Sequence, residues 1–335
     1  MHKTSIMLRR LLVNVTPFWV HQRGLRTRDM TPGLLVSHWQ KVFQDHQIPD
    51  AQDSSEILVS HALGAKTFRL IPPALSQRPV SDHQLQRIER MGQQRLQRVP
   101  VQYIIEEWDF LDMTLLMRPP VFIPRPETEE LVGLVLADGH NLLSSWEPRI
   151  LEVGCGSGAV SLALLQRLPQ RSAPRGTLRV CHLSLRVSSR IENFLNCGFN
   201  CSSDIYQVFL FCLFNPSHPP DPPERLRPFG LIDTIVSNPP YIFTSDMSQL
   251  DPEIYRYEDH TALDGGPDGM DVIKGILRLA PRLLKQDGDV FLEGDPRHPE
   301  MLSQWLTRNP SVQLRLISTV RDFCKKQRFV HLRRS

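Results

Sequence analysis

No run of about eighteen consecutive apolar residues occurs in the 335-residue chain, so no membrane-spanning helix is expected. The six cysteines (Cys155, Cys181, Cys197, Cys201, Cys212 and Cys324) never form a C-x-x-C pair. That argues for free thiols in a reducing compartment and against a zinc site, so no metal is expected. Charge of one sign is scarce as well. A formal net charge of +3 is too small for a general nucleic-acid binder, and no direct nucleic-acid partner is expected. The balance that remains, 41% hydrophobic and 22% charged, is that of a soluble globular chain long enough for two domains.

One absence is local. Residues 1–28 contain Lys3, Arg9, Arg10, Arg23, Arg26 and Arg28 but no acid before Asp29, with apolar residues interleaved. This is the composition of a mitochondrial transit peptide, and residues 1–28 are expected to be one. An unstructured basic tail would have the same composition.

Residues 29–100 read as a small helical domain. Val36, Trp39, Val42 and Phe43 recur at helical spacing. Asp53-Ser54-Ser55-Glu56 predicts the start of a second helix ended by Gly64. Ser81-Asp82 can cap a third with Leu85, Ile88, Met91 and Leu96 on one face. No catalytic constellation appears there. Residues 101–123, from Val101, Tyr103, Ile104 and Ile105 to Met117, predict a β-hairpin linker.

Residues 124–335 change period. Ile150, Leu151 and Val153 predict a buried strand, followed by Gly154-Cys155-Gly156-Ser157-Gly158 and a helix from Val160 to Leu168. Leu231 to Val236 predicts a strand, 272–284 a helix, and Asp289 to Glu293 another strand. Such alternation implies a doubly wound parallel α/β sheet.

Two loops carry chemistry. Glycines after a strand permit positive φ and close approach of backbone to a ligand, while N–H groups at the next helix start attract an anion. The spacing G-x-G-x-G after Glu152 is not the G-x-G-x-x-G of a dinucleotide site; it suits S-adenosylmethionine. The second loop, Asn238-Pro239-Pro240-Tyr241, ends an apolar strand, where open sheets place ligands. Consecutive prolines stiffen it. The Asn238 carboxamide and Pro239 carbonyl can then accept both hydrogens of a planar –NH₂ group, and Tyr241 can pack against that group. Such a nitrogen needs orientation and help as positive charge develops, which preorganised acceptors supply. Asn238, Pro239 and Tyr241 are therefore the expected catalytic residues.

Four segments, V-F-I-P-R-P-E-T-E from Val121, E-V-G-C-G-S-G from Glu152, S-N-P-P-Y from Ser237 and A-L-D-G-G-P-D-G from Ala262, together resemble the HemK family. The resemblance covers about residues 31–170 and 229–334. It implies a Rossmann-like class I methyltransferase domain behind a small helical domain that helps hold a release factor. The implied activity is that of a protein-glutamine N-methyltransferase, using S-adenosyl-L-methionine on the glutamine of the Gly-Gly-Gln tripeptide in class I peptide-chain release factors. Gly154, Cys155, Gly156, Ser157 and Gly158 match the cofactor loop. Asn238 matches the residue that contacts both cofactor and substrate, and Pro239, Pro240 and Tyr241 complete the glutamine pocket. Arg125, Pro126 and Glu127 match a segment near the cofactor. With the basic leader, the resemblance implies a mitochondrial member, a matrix location and a mitochondrial release factor as partner.

The sequence departs from the family over residues 173–228, which are rich in cysteine, serine and arginine, with Pro216, Pro219, Pro220, Pro222, Pro223 and Pro228. The family's second strand, ending in a ribose-binding acid, is not recognisable there. Glu192, Asp204 and Asp221 end no convincing strand, although 205–214 are apolar enough for one. The segment is expected to form no complete βαβ unit; it reads either as non-native sequence or as a divergent insertion. Two alternatives to the main reading are a catalytically impaired release-factor binder and a nucleic-acid amino-methyltransferase.

Overall fold

The computed structural model describes residues 30–139, 148–168 and 230–335, and the backbone of two strands, Arg179–Ser184 and Tyr206–Leu210. The transit peptide assigned to residues 1–28 lies outside the described residues, as do Glu192, Asp204 and Asp221. The chain divides into two units, one running through Val101 and the other starting at Gln102.

The first unit is helical, as its apolar spacing predicts. Its main helices are α1 (Pro32–Asp45), α2 (Ala51–Ala62) and α3 (Asp82–Leu96). Ser81 and Gln84 form a reciprocal capping box, which satisfies two of the orphan N–H groups at the start of α3. Helix α2 begins at Ala51, two residues before the predicted Asp53. Trp39 and Phe43 pack together, ring centroids 5.3 Å apart, and both are buried. A Cβ on Gly92 of α3 would strike the Trp39 ring, so the ring lies flat on that helix only because residue 92 is glycine. Arg95, also buried, donates to Ser54 Oγ at 3.1 Å and to the Pro49 carbonyl at 3.3 Å, so α3 is tied to α2 and to the turn before it.

The stretch at the boundary of the two units differs from expectation. Val101–Ile105 is a short helix, α4, rather than a strand. The hairpin is confined to β1 (Glu107–Phe110) and β2 (Met113–Leu116), paired antiparallel. The segment is compatible with either state, because five residues, four of them apolar, are too few to show a period.

Beyond the hairpin come α5 (Pro126–Asp138), β3 (Arg149–Val153), α6 (Ala159–Arg167), β4 (Arg179–Ser184), β5 (Tyr206–Leu210), β6 (Ile232–Ser237) and α7 (Pro252–Tyr257). After these come α8 (Asp271–Leu283), β7 (Leu284–Glu293), α9 (His298–Arg308), β8 (Leu314–Arg321) and β9 (Gln327–Arg334). One sheet of seven strands has the order β5-β4-β3-β6-β7-β9-β8. The first five are parallel; β9 runs antiparallel to both neighbours. The sheet is thus mixed, against the all-parallel expectation. Buried Asp289 accepts from His331 at 2.8 Å and from Arg333 at 2.7 Å, which secures the antiparallel strand to β7.

Two strands fall within residues 173–228, although no second strand is recognisable there from the sequence; the second of them, β5, lies in the apolar stretch 205–214. Strand β4 pairs parallel with β3, Leu151 opposite Cys181, and β5 pairs parallel with β4, His182 opposite Val208. Arg179–Ser184 is not a continuous apolar run, but its backbone is paired along both edges, and that pairing makes it a strand. The connections between these strands lie outside the described residues.

Successive strand residues face opposite ways, and the helices divide accordingly. Leu151, Val153, Ile235, Val290 and Leu292 pack with Ile273, Ile276, Leu277 and Ala280 of α8 and Leu302 of α9. On the other face, α6 meets Glu152 through Ser161, and α5 meets Glu293 through Thr128. Chain order reverses between β3 and β6: the chain first builds outward through β4 and β5, then returns to the far side of β3. Sheets of this kind bind ligands in the crevice at that reversal, beyond the carboxyl ends of the strands.

Candidate active site

The two chemically suggestive loops both leave the sheet at the reversal. Val153 and Ser237 are register partners, and the Ser237 hydroxyl donates to the Val153 carbonyl at 2.6 Å. Gly154 and Asn238 therefore start side by side. Gly154, Gly156 and Gly158 have φ of +76°, +48° and +85°, values that side-chain-bearing residues rarely adopt. A Cβ on Gly154 would lie 3.7 Å from the Asn238 backbone carbonyl. Gly158 N–H closes the turn on the Cys155 carbonyl at 2.6 Å and hands the chain to α6. Cys155 and Ser157 are buried beneath the turn. Glu152 is buried as well and accepts from the Ser161 hydroxyl, so its carboxylate braces strand to helix.

The segment from Val121 supports this loop. A Cβ on Gly156 would lie 3.6 Å from Phe122, whose ring carries the Arg125 guanidinium 5.1 Å from its centroid. Arg125 pairs with Glu258 at 2.5 Å, and Glu258 is buried. Burial pushes the Glu258 carboxyl up, while Arg125 and the Ile123 N–H oppose that shift. Arg125 thus anchors the loop through Phe122 and Glu258.

Asn238 and Tyr241 are held by residues that sequence reasoning did not single out. The Asn238 amide Nδ2 donates to Thr128 Oγ1 at 3.0 Å, and Thr128 Oγ1 donates to Glu293 Oε2 at 2.9 Å. Tyr241 donates its hydroxyl to Glu293 Oε1 at 3.3 Å and sits under the Arg328 guanidinium, 5.9 Å from its ring centroid. Arg328 donates to the Gly294 carbonyl at 3.3 Å and pairs with buried Asp322 at 3.2 Å. Glu293 is 1% exposed, and burial raises its pKa from 4.5 to about 7. Burial and the neighbouring Glu293 push the Tyr241 hydroxyl well above its usual range. Two signals were available: Thr128 lies inside the R-P-E-T-E segment, and Glu293 ends a strand at the ligand-binding edge of the sheet.

Pro239-Pro240-Tyr241 is fixed from the other side by the glycine-rich loop. Ile242 bridges Asp264, its N–H donating to Leu263 O at 3.0 Å, while Gly265 N–H donates to Ile242 O at 2.8 Å. A Cβ on Gly265 would fall 2.7 Å from the Pro240 carbonyl oxygen, so only glycine allows this approach. Beneath lies fully buried His298. Its Nδ1 accepts the Asp295 N–H at 3.1 Å, which leaves the proton on Nε2, facing the Asp268 carbonyl at 3.3 Å. Burial keeps His298 below its ordinary pKa, consistent with a neutral ring. This loop is a strapped brace on the site.

Comparison with known proteins settles the family. The PrmC N-terminal domain matches residues 35–105. The human MTRF1L release factor glutamine methyltransferase is 50% identical over 305 residues, covering 90% of this chain and 87% of that protein. The chain belongs to the release factor glutamine methyltransferases. Bacterial members are similar as well. The release factor glutamine methyltransferase of Thermosynechococcus vestitus is 34% identical, covering 68% of this chain and 71% of that protein. That of Deinococcus radiodurans is 30% identical, covering 86% and 93%. Methyltransferase chemistry and the class I fold follow from the family and agree with the observed sheet. Among the described residues, no helix is long and apolar enough to cross a membrane and no metal-binding group of side chains occurs.

Proposed function

We propose that this chain methylates the side-chain amide nitrogen of the glutamine in the Gly-Gly-Gln tripeptide of a mitochondrial class I release factor, with S-adenosyl-L-methionine as donor, in the mitochondrial matrix. One observation carries the reading: the Gly154–Gly158 turn and the Asn238–Tyr241 loop leave neighbouring strands side by side at the point of chain reversal. A methyl donor seated on the first and an amide seated on the second would meet there.

The residues present fit the donor at its amino-acid end. Three left-handed glycines let the backbone approach closely, and the N–H groups at the start of α6 favour a carboxylate. The donor supplies an electrophilic methyl group. The chain supplies orientation. The Asn238 Oδ1 and the Pro239 carbonyl would accept the two amide hydrogens, turning the nitrogen lone pair towards the methyl and stabilising the positive charge that develops on nitrogen as the C–N bond forms and the donor's C–S bond breaks. One N–H proton then leaves to water. The family's usual activity on release factors, together with the basic leader, supports the partner and the compartment.

The test is Asn238→Ala, assayed with a Gly-Gly-Gln release factor, and separately with DNA and RNA, alongside calorimetric binding of S-adenosylmethionine. Loss of one preorganised acceptor should lower the rate by roughly 10²–10³. Near-normal turnover would refute the assignment. Methylation of nucleic acid but not of the release factor would point instead to an amino-methyltransferase of bases. Release-factor binding without turnover by the unmodified chain would point to an impaired binder.

A further inference from the structure

We propose that Glu293, acting through Thr128, is the positioning residue that decides which end of the Asn238 carboxamide faces the substrate. The inference rests on the reading of Asn238 given above and concerns what makes that side chain usable.

A carboxamide is nearly symmetrical in shape but not in chemistry: one end donates two hydrogens and the other only accepts. An Asn with its NH₂ end towards the substrate would present donors to an amide –NH₂, and the contact would be repulsive. Orientation must therefore come from the partner behind it. That partner is Thr128 Oγ1, 3.0 Å from Nδ2. By itself a threonine hydroxyl settles nothing, because it can both donate and accept. Its single hydrogen is claimed by Glu293 Oε2 at 2.9 Å. An ionised carboxylate can only accept. With that hydrogen committed, Thr128 has only lone pairs to offer Asn238, so the NH₂ end turns inward and Oδ1 is left for the substrate.

The second carboxylate oxygen is engaged as well. Tyr241 donates to Glu293 Oε1 at 3.3 Å, and Arg328 approaches the Tyr241 hydroxyl at 3.5 Å. One carboxylate thus organises the acceptor of the N-P-P-Y loop and its aromatic ring together. The ionisable groups acting on it are Tyr241, Arg328 and Glu127, and Arg328 is itself paired with Asp322. Burial raises Glu293 to about 7 against the opposing pull of Thr128, Arg328 and Tyr241. Protonation reverses the logic. A carboxylic acid can donate to Thr128, the threonine hydrogen is released, and it can be offered to Asn238 Oδ1. The carboxamide then has reason to turn, and the substrate loses its acceptor.

The experiment measures kcat and KM for a Gly-Gly-Gln release factor from pH 5.5 to 9 with the full chain and with Glu293→Gln, Thr128→Val, Thr128→Ser and Asn238→Ala. Calorimetric binding of S-adenosylmethionine accompanies each variant. For the unaltered chain, kcat should fall about tenfold per pH unit below about 7, as expected for one essential ionised group. Glu293→Gln should remove that limb and lower the plateau. Thr128→Val should lower kcat by roughly 10²-fold, as for loss of a preorganised contact. Thr128→Ser, which keeps the hydroxyl, should restore most of it. Cofactor binding should stay within about threefold in the Glu293 and Thr128 variants, since neither side chain is in the glycine turn. An unchanged acid limb in Glu293→Gln, or wild-type kcat in Thr128→Val, would overturn the proposal. Should Thr128→Val fail to fold, the Glu293→Gln profile alone decides. A fully active Asn238→Ala would mean that the site reading itself has failed; an inactive Asn238→Ala beside active Thr128→Val and Glu293→Gln variants would sink only the relay.

Discussion

Glu293 has a consequence for stability that is independent of catalysis. Its carboxyl is 1% exposed, and its pKa rises from 4.5 in the unfolded chain to about 7 in the folded one. Between those values the folded state binds a proton that the unfolded state has released. Stability from this group is therefore fully present below about pH 4.5 and is lost as pH rises through about 7. At 1.36 kcal/mol per pH unit, the displacement corresponds to about 3 kcal/mol. Glutamine has the same shape and no charge to desolvate, so Glu293→Gln should escape the loss. The assay is urea unfolding of both proteins at several pH values between 4.5 and 8.5. The stability difference, variant minus unaltered chain, should rise by about 3 kcal/mol across that range in favour of glutamine and level off above about 7.5. Other titrating groups, His298 among them, are common to both proteins and cancel. A difference that does not vary with pH would refute the reasoning, because burial of an ionisable carboxyl would then not be what distinguishes the two. If the prediction holds, a residue that weakens the folded state at working pH is kept for what it does to Asn238 and Tyr241.

Gly265→Ala should push a Cβ against the Pro240 carbonyl, 2.7 Å away, and shift the N-P-P-Y loop; kcat should fall by up to about 10²-fold, the cost of a misplacement near 1 Å. S-adenosylmethionine affinity, read by calorimetry, should hardly change, and an equal loss in both would contradict this placing of the loop. Residues 1–28 fused to a reporter should carry it into mitochondria and then be removed; a reporter left in the cytosol with its leader intact would count against the compartment. Replacing residues 173–228 with the corresponding βαβ sequence of a family member should tighten S-adenosylmethionine binding, because no acid follows Ser184 at the carboxyl end of β4 before Glu192. Equal, tight binding by both chains would show that the present segment is a working insertion.

The helical unit was legible because its signals are local. Ser81 and Gln84 announce the start of α3, and Leu85, Ile88 and Met91 mark the face it buries. Strands β3, β6 and β7 were legible for a related reason: strands covered on both faces show as apolar runs. Val101–Ile105 failed the same test in reverse. Four apolar residues and Gln102 between a proline and a glutamate are too few to show a period, and the chain made a turn of helix where a strand was expected. Strand β4 was missed because Arg179, His182 and Ser184 interrupt its apolar character; pairing with β3 and β5 decided its state, and pairing cannot be read from one strand alone.

The site shows the same division between local and long-range information. Its outer layer is written in motifs, since backbone conformation at Gly154, Gly156 and Gly158 and stiffness at Pro239 and Pro240 are properties of residue type. Its inner layer is not. Thr128, Asn238 and Glu293 lie 110 and 165 residues apart from Thr128 to its two partners, and nothing local requires them to meet. What brings them together is the sheet: β6 and β7 are parallel neighbours, so their carboxyl ends open on the same edge, and α5 crosses that face. A buried acid ending one such strand, an asparagine following the next, and a hydroxyl on the covering helix are unremarkable singly. Placed on one edge, they form a directed chain of donors. The direction of that chain separates an asparagine that can receive a substrate amide from one that merely fills the loop.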